Sequence, residues 1–174
     1  EEVLRQKMKT DYEADYVRLD GFCPIRWIVV GKNRKYGLFD IGKNLLTIPI
    51  SYDSVVHVRK FDSTTYYIPR NGFYAVVRKG SRLGCIGEGN KEILEVKYDA
   101  VSPWSDNYYT MQLNGKMGML TVNSPYPPIA PKYKSVAPQK NFYINSQRYF
   151  WLYRVRLENG SWGYVGENGI EYFK

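Results

Sequence analysis

The sequence predicts an all-β protein assembled from about four copies of one short antiparallel unit. Three observations carry that expectation. A glycine recurs in one local frame at Gly37, Gly84, Gly118 and Gly163; turn residues bracket each copy; and 17 tyrosines accompany a hydrophobic content of 44%. Internal repetition takes precedence over other signals because the repeat decides the architecture. Aromatic residues favour strands, where they pack on a pleated surface.

Each unit opens on a strand. Ten positions before the glycine stands Trp27, Tyr74, Tyr108 or Tyr153, and eight before it Val29, Val76, Thr110 or Val155. Columns two apart in a strand share a face. A turn follows at Asn33-Arg34, Gly80-Ser81, Asn114-Gly115 and Asn159-Gly160. Asn-Gly between alternating runs is a strong hairpin signal, because a type I′ turn needs positive φ at both central residues.

The return strand carries a bulky residue before the glycine (Tyr36, Leu83, Met117, Trp162) and an apolar one two positions after it (Phe39, Ile86, Leu120, Val165). A glycine inside a strand marks a bulge or a close approach. The aromatic ring ten residues back is expected to lie across its bare α-carbon. A second turn comes at Gly42-Lys43, Gly89-Asn90, Asn123-Ser124 and Asn168-Gly169. A third strand then closes on Tyr52-Asp53-Ser54-Val55, Tyr98-Asp99-Ala100-Val101 and Tyr133-Lys134-Ser135-Val136.

These elements describe a single domain over residues 27–174, with three-stranded repeats at about 27–55, 73–101, 108–136 and 153–174. A propeller-like ring and an open twisted β-array both satisfy the pattern. Residues 1–26 form an N-terminal segment with two readings. Leu4, Met8 and Tyr12 have the spacing of a short amphipathic helix. Alternatively, Asp11-Tyr12-Glu13-Ala14 is similar to Lys97-Tyr98-Asp99-Ala100, and an N-terminal strand would complete the last repeat.

The columns resemble the Trp-Gly repeat family, short β-rich repeats common in bacterial proteins. The fourth copy, Asn159-Gly160-Ser161-Trp162-Gly163-Tyr164-Val165, carries the dipeptide itself, and the second follows the pattern from Gly72-Phe73 to Ala100-Val101. The match covers about residues 27–174, with Tyr36, Leu83 and Met117 in place of the tryptophan elsewhere. The resemblance implies β-repeat architecture and no reaction.

A chain of 174 residues buries roughly 70% of its unfolded surface. It has no run of about 20 apolar residues that would span a membrane. It begins at Glu1 without methionine, which reads as a processed or trimmed product and fits an exported or cell-envelope location. Cys23 and Cys85 make no disulfide framework, and their redox state is open.

The formal charge of +8 invites an acidic partner. Lys32, Arg34, Lys35, Lys79, Arg82 and Lys116 fall on the first three hairpin tips, and aligned tips would make an anion-binding rim. Exposed turns and lysine-guarded edges account for the same residues. Two connections, 56–72 and 137–148, mix bases with aromatics outside the repeat frame. Arg59, Lys60, Tyr66, Tyr67, Phe142 and Tyr143 are their candidate recognition residues, since loops on a rigid scaffold often recognise ligands.

No catalytic or metal constellation stands out. His57 is the single histidine, so a zinc site of His and Cys has at most three ligands, at unhelpful spacing. A Cys-His dyad lacks an orienting group in the pattern. Gly84, Gly87 and Gly89 belong to β-turns with no helix following, unlike a nucleotide-binding loop. Asp53 and Asp99 recur because the unit recurs, and short turn hydrogen bonds are their expected role. Asn159-Gly160-Ser161 has the glycosylation pattern but is the hairpin turn. The expected function is a non-enzymatic binding or scaffolding module without a cofactor, its partner an unidentified protein or polysaccharide. The alternative is a binder of polyanions, nucleic acid or acidic polysaccharide.

Overall fold

A computed structural model describes residues 2–20, 27–60, 73–105, 108–121, 124–145 and 148–173. Among the described residues the fold is all-β apart from one α-helix, α1 (Glu2–Tyr12), and a 3-10 turn at Glu88–Asn90, and the strands form four antiparallel four-stranded sheets in sequential order. The first sheet holds β1 (Tyr16–Asp20), β2 (Trp27–Lys32), β3 (Lys35–Asp40) and β4 (Leu45–Tyr52). The second holds β5 (Ser54–Lys60), β6 (Phe73–Lys79), β7 (Arg82–Ile86) and β8 (Glu92–Tyr98). The third holds β9 (Ala100–Ser105), β10 (Tyr108–Leu113), β11 (Lys116–Thr121) and β12 (Ile129–Tyr133). The fourth holds β13 (Ser135–Asn145), β14 (Arg148–Arg156), β15 (Trp162–Gly166) and β16 (Glu171–Phe173). None closes into a barrel. The described residues divide into two compact units at Lys97/Tyr98, the first two sheets in one and the last two in the other.

The repeat is thus four-stranded where three strands were expected. The Tyr-x-x-Val motif straddles two sheets: Tyr52 ends β4, Asp53 makes the bend, and Val55 already belongs to β5. After the bend, the backbone N–H of Asp53 donates to Arg78 in the new sheet, as Asp99 does to Gln112 and Lys134 to Arg156. Asp15 makes the same bond to Gly31. Ala14-Asp15 is therefore the first-copy counterpart of Tyr52-Asp53, and β1 pairs with β2. The N-terminal strand completes the first sheet rather than the last. Asp11 and Tyr12, read as part of a closing strand, end the helix.

The aspartates act over a longer range than a local turn. Asp15 Oδ2 accepts from the Asn33 N–H at 2.9 Å, Asp53 Oδ2 from Gly80 at 2.5 Å and Asp99 Oδ2 from Asn114 at 2.7 Å. Each carboxylate at a bend thereby ties down the β2–β3-type hairpin tip of the sheet that follows it. Lys134 occupies this column in the fourth sheet, where the tip differs.

That difference is in the turn. The first tip has positive φ at both Asn33 and Arg34, and the third at Asn114 and Gly115, so both are two-residue type I′ turns. The Asn159-Gly160 tip is longer. Leu157 N–H donates to Ser161 at 2.9 Å, leaving Glu158, Asn159 and Gly160 in the loop, with only Gly160 (φ 88) left-handed. A three-residue loop ending in αL glycine is the next commonest hairpin. It adds one residue to the fourth copy. Gly37 pairs with Val30, Gly84 with Val77 and Gly118 with Met111, whereas Gly163 pairs with Val155. The aromatic column is therefore out of register in that copy. Trp27 and Tyr108 have Leu152 as their fourth equivalent, and Tyr153 points to the opposite face. The side chain of Tyr74 lies outside the described residues.

The keyed glycine has a different neighbour from the one expected. A β-carbon at Gly37 would lie 2.5 Å from the Ile48 carbonyl oxygen, at Gly84 2.7 Å from that of Leu94, and at Gly118 2.3 Å from that of Ile129. The fourth strand's backbone makes the approach, not the ring ten residues back. Its register explains why: Tyr36 pairs with Tyr52 and Leu38 with Ile48, so three residues of β4 oppose Gly37 alone. The same bulge separates Met117↔Tyr133 from Met119↔Ile129. Pro49 and Pro131 sit in these bulges, where a missing N–H does no harm. At Gly163 the Phe173 ring takes the space.

Each sheet buries side chains face to face with a neighbour in its own unit. Trp27, Val29 and Leu38 of the first sheet meet Val55, Ala75, Val77 and Ile86 of the second. The first sheet's other face carries Ile28, Val30 and Phe39 and is covered by α1 through Met8, with Leu4 and Tyr12 beside it. The helical spacing of these three residues is what seats the helix. In the other unit, Tyr108, Met119, Ile129 and Tyr133 of the third sheet meet Val136, Tyr153, Val155 and Val165 of the fourth. Among the described residues no helix is long and apolar enough to cross a membrane.

The glycine account makes a graded expectation for urea denaturation. Gly118→Val forces the β12 backbone to move and should cost about 1–3 kcal/mol or more. Gly115→Ala meets nothing within 4 Å and should cost only the left-handed backbone strain, about 1 kcal/mol. Equal losses at the two positions would remove the close-approach explanation.

Candidate functional site

Strand alternation gives the fourth sheet two unlike faces. One carries Tyr153, Val155 and Val165 and is buried against the third sheet, where the Tyr153 hydroxyl hydrogen-bonds Thr121 Oγ1 and the Tyr108 ring stands 6.2 Å away. Burial pushes the Tyr153 phenol up, so it stays protonated at neutral pH. The other face follows from the register. Arg154 pairs with Tyr164, Arg156 with Trp162, and Tyr164 with Tyr172, which sets all five side chains on one side. Phe142 pairs with Phe150 and Leu152 with Gly166 on the same side.

This second face is open. Trp162 is 46% exposed, Tyr164 39%, Tyr172 52% and Phe142 48%. The repeat shows how unusual that is. Tyr164 follows its glycine as Leu38, Cys85 and Met119 follow theirs, and those three are 0% exposed. Trp162 occupies the column of Tyr36 and Met117, both packed against the neighbouring sheet's core. Arg154 stands opposite Tyr164 as Val29, Val76 and Thr110 stand opposite Leu38, Cys85 and Met119.

The guanidiniums are arranged over the indole. Arg154 Cζ lies 4.2 Å and Arg156 Cζ 5.4 Å from the Trp162 ring centroid. Such cation–π contacts hold the long arginine chains against the sheet. Phe150 crosses the bare Gly166, whose β-carbon would come within 2.6 Å of its ring. The result is a flat surface with rings at its centre and two fixed cations. On the opposite face, across from Val165, Glu171 of β16 accepts hydrogen bonds from the Tyr133 hydroxyl and from Lys132 Nζ at 2.8 Å. Lys132 first, then Tyr133, holds the Glu171 carboxyl below the usual range, and burial with Glu171 raises Tyr133.

The tip residues expected to bind anions are differently disposed. Lys32 is ion-paired with Glu13, Lys35 with Asp53 and Lys116 with Glu158. Lys79 Nζ lies 4.9 Å over the Tyr52 ring, while Arg34 and Arg82 are exposed at their turns. Asp53 touches Lys35 of one tip and Gly80 of the next, so these two tips do align, but with carboxylates set among the bases. Tyr66 and Tyr67 lie outside the described residues, as do the side chains of Arg59, Lys60, His57 and Tyr143. Phe142 is described, and residues 137–145 of the connection containing it belong to β13, paired with β14.

Cys85 is a free thiol, fully buried, and burial pushes its pKa up, which leaves it protonated and unreactive at neutral pH. Cys23 lies outside the described residues. Among those residues, no three His, Cys, Asp or Glu side chains converge to hold a metal ion.

The depressed Glu171 carboxyl has a pH consequence. Its folded value lies below its unfolded one, so its contribution is complete above the ordinary glutamate pKa of about 4.3 and is lost as pH falls through the folded value. Melting temperatures of wild type and Glu171→Gln should differ at neutral pH and converge in acid. A gap as large at the acid end of the titration as at neutral pH would contradict the assignment. Comparison with protein-family models, with curated proteins and with solved structures finds no match for this chain.

Proposed function

We propose that this chain is a non-enzymatic binding module whose recognition surface is the open face of the fourth sheet. One observation carries the reading: columns that are buried (Leu38, Met119, Val29) or half-buried (Tyr36, Met117, Thr110) in the first and third sheets are exposed in the fourth, where they hold Tyr164, Trp162 and Arg154. Isolated exposed apolar residues need no explanation, but a contiguous patch marks an interaction site. Tryptophan, tyrosine and arginine are also the side chains that dominate binding energy at interfaces, since they offer large rigid surfaces with polar ends. The four sheets with one keyed glycine each support placing the chain with the Trp-Gly repeats. A polyanion rim at the hairpin tips is the weaker reading, because Lys32, Lys35 and Lys116 already face carboxylates.

The test uses the full chain immobilised beside its Trp162→Ala/Tyr164→Ala variant, each offered arrays of peptides, glycans and single-stranded oligonucleotides. Retention of one ligand class, reduced roughly tenfold or more in the variant at unchanged melting temperature, supports the proposal. Retention indifferent to the double substitution would move the site elsewhere. Turnover of an array compound, abolished by a single substitution, would make the protein an enzyme.

A further inference from the structure

Resting on that reading, we infer that the open face receives an acidic polypeptide segment, its carboxylates held by Arg154 and Arg156 and its apolar side chains laid on Trp162, Tyr164 and Tyr172. Charge complementarity selects this occupant. Among the described side chains of the face there is no carboxylate, so Arg154 and Arg156 meet no counter-charge within it. A guanidinium fixed over an aromatic ring still presents its N–H edge, and a carboxylate accepts two parallel hydrogen bonds from such a fork.

Three other occupants fit less well. A further apolar sheet, packing as the second packs on the first, would meet Arg154 where that interface has Val29, and would strand a buried charge without a partner. A second copy docking through the same face would bring two arginine clusters into one interface whose described side chains supply no carboxylate, which disfavours association. Single-stranded nucleic acid uses stacked aromatics together with a continuous cationic track along the backbone. Here the described cations, Arg154 and Arg156, form one cluster over Trp162 and make no such track. An acidic peptide needs only a local cationic cluster beside apolar contact area.

The face also explains how an extended or helical segment would lie on it. The molecule covers the far side of its first sheet with α1, which seats Leu4, Met8 and Tyr12 on apolar strands. A partner segment with apolar residues at comparable spacing, interrupted by Asp or Glu, would use the same geometry on the fourth sheet.

Fluorescence anisotropy of labelled probes with the full chain tests this. The probes are an amphipathic dodecapeptide of Leu and Glu, the same peptide with Lys for Glu, an oligothymidylate and an oligogalacturonate. We expect the Glu peptide alone to bind, to weaken with salt, and to lose roughly tenfold or more in affinity with Arg154→Gln or Trp162→Ala, while a control Arg34→Gln leaves it unchanged. Oligothymidylate or oligogalacturonate binding that depends on Trp162, without peptide binding, would overturn the acidic-peptide assignment and leave the face as the recognition surface. Peptide binding indifferent to Arg154→Gln, or no binding of any probe, would overturn it as well. Sedimentation as a dimer that Trp162→Ala dissociates would assign the face to a second copy instead.

Discussion

A β-sheet has two faces, and both must be covered or made tolerant of water. That constraint organises everything described in this molecule. A strand alternates its side chains, so a sheet that packs on one side only leaves half its residues outward. The first sheet satisfies the constraint twice, by the second sheet on one face and by α1 on the other. The fourth sheet satisfies it once, against the third, and presents rings and guanidiniums on its other side. The exposed aromatics follow from where that sheet lies in its unit, and their chemistry suits a surface that meets water and a polar partner.

The local geometry serves the same end. The fourth strand of each of the first three sheets can approach its neighbour only because a glycine clears the way, and in the first and third sheets the bulge opposite it crowds three residues into the space of one. Bend carboxylates at Asp15, Asp53 and Asp99 then fix the next hairpin tip. These bonds link one repeat to the next through a few atoms, so the passage from β4 to β5 needs no loop at all. Tip lysines meet carboxylates as well: Lys35 pairs with the bend residue Asp53, Lys32 with Glu13 and Lys116 with Glu158.

Much of this was legible in the sequence. The glycine frame, the turn residues and the tyrosines gave the all-β class, and Leu4, Met8 and Tyr12 marked the helix. The four-stranded phase was not, because Tyr52-Asp53-Ser54-Val55 reads as one strand when its bend is a single residue stabilised by contacts made elsewhere. The open face was hidden by one residue of register. Aligning Asn159-Gly160 with the two-residue turns placed Val155 beside Val29 and Val76, and only the longer turn restores Arg154 to that column. An arginine among valines would then have drawn attention. Whether a column is covered depends on which sheets are neighbours, and that is a tertiary fact no column carries.

Hydroxyl-radical footprinting of the full chain, read residue by residue, tests the central claim most directly. The account requires rapid modification of Trp162, Tyr164 and Tyr172, with Trp27, Tyr108 and Tyr153 protected. Protection of Trp162 as complete as that of Trp27 in the isolated monomer would mean the fourth sheet has no open face, and the argument built on it would fall.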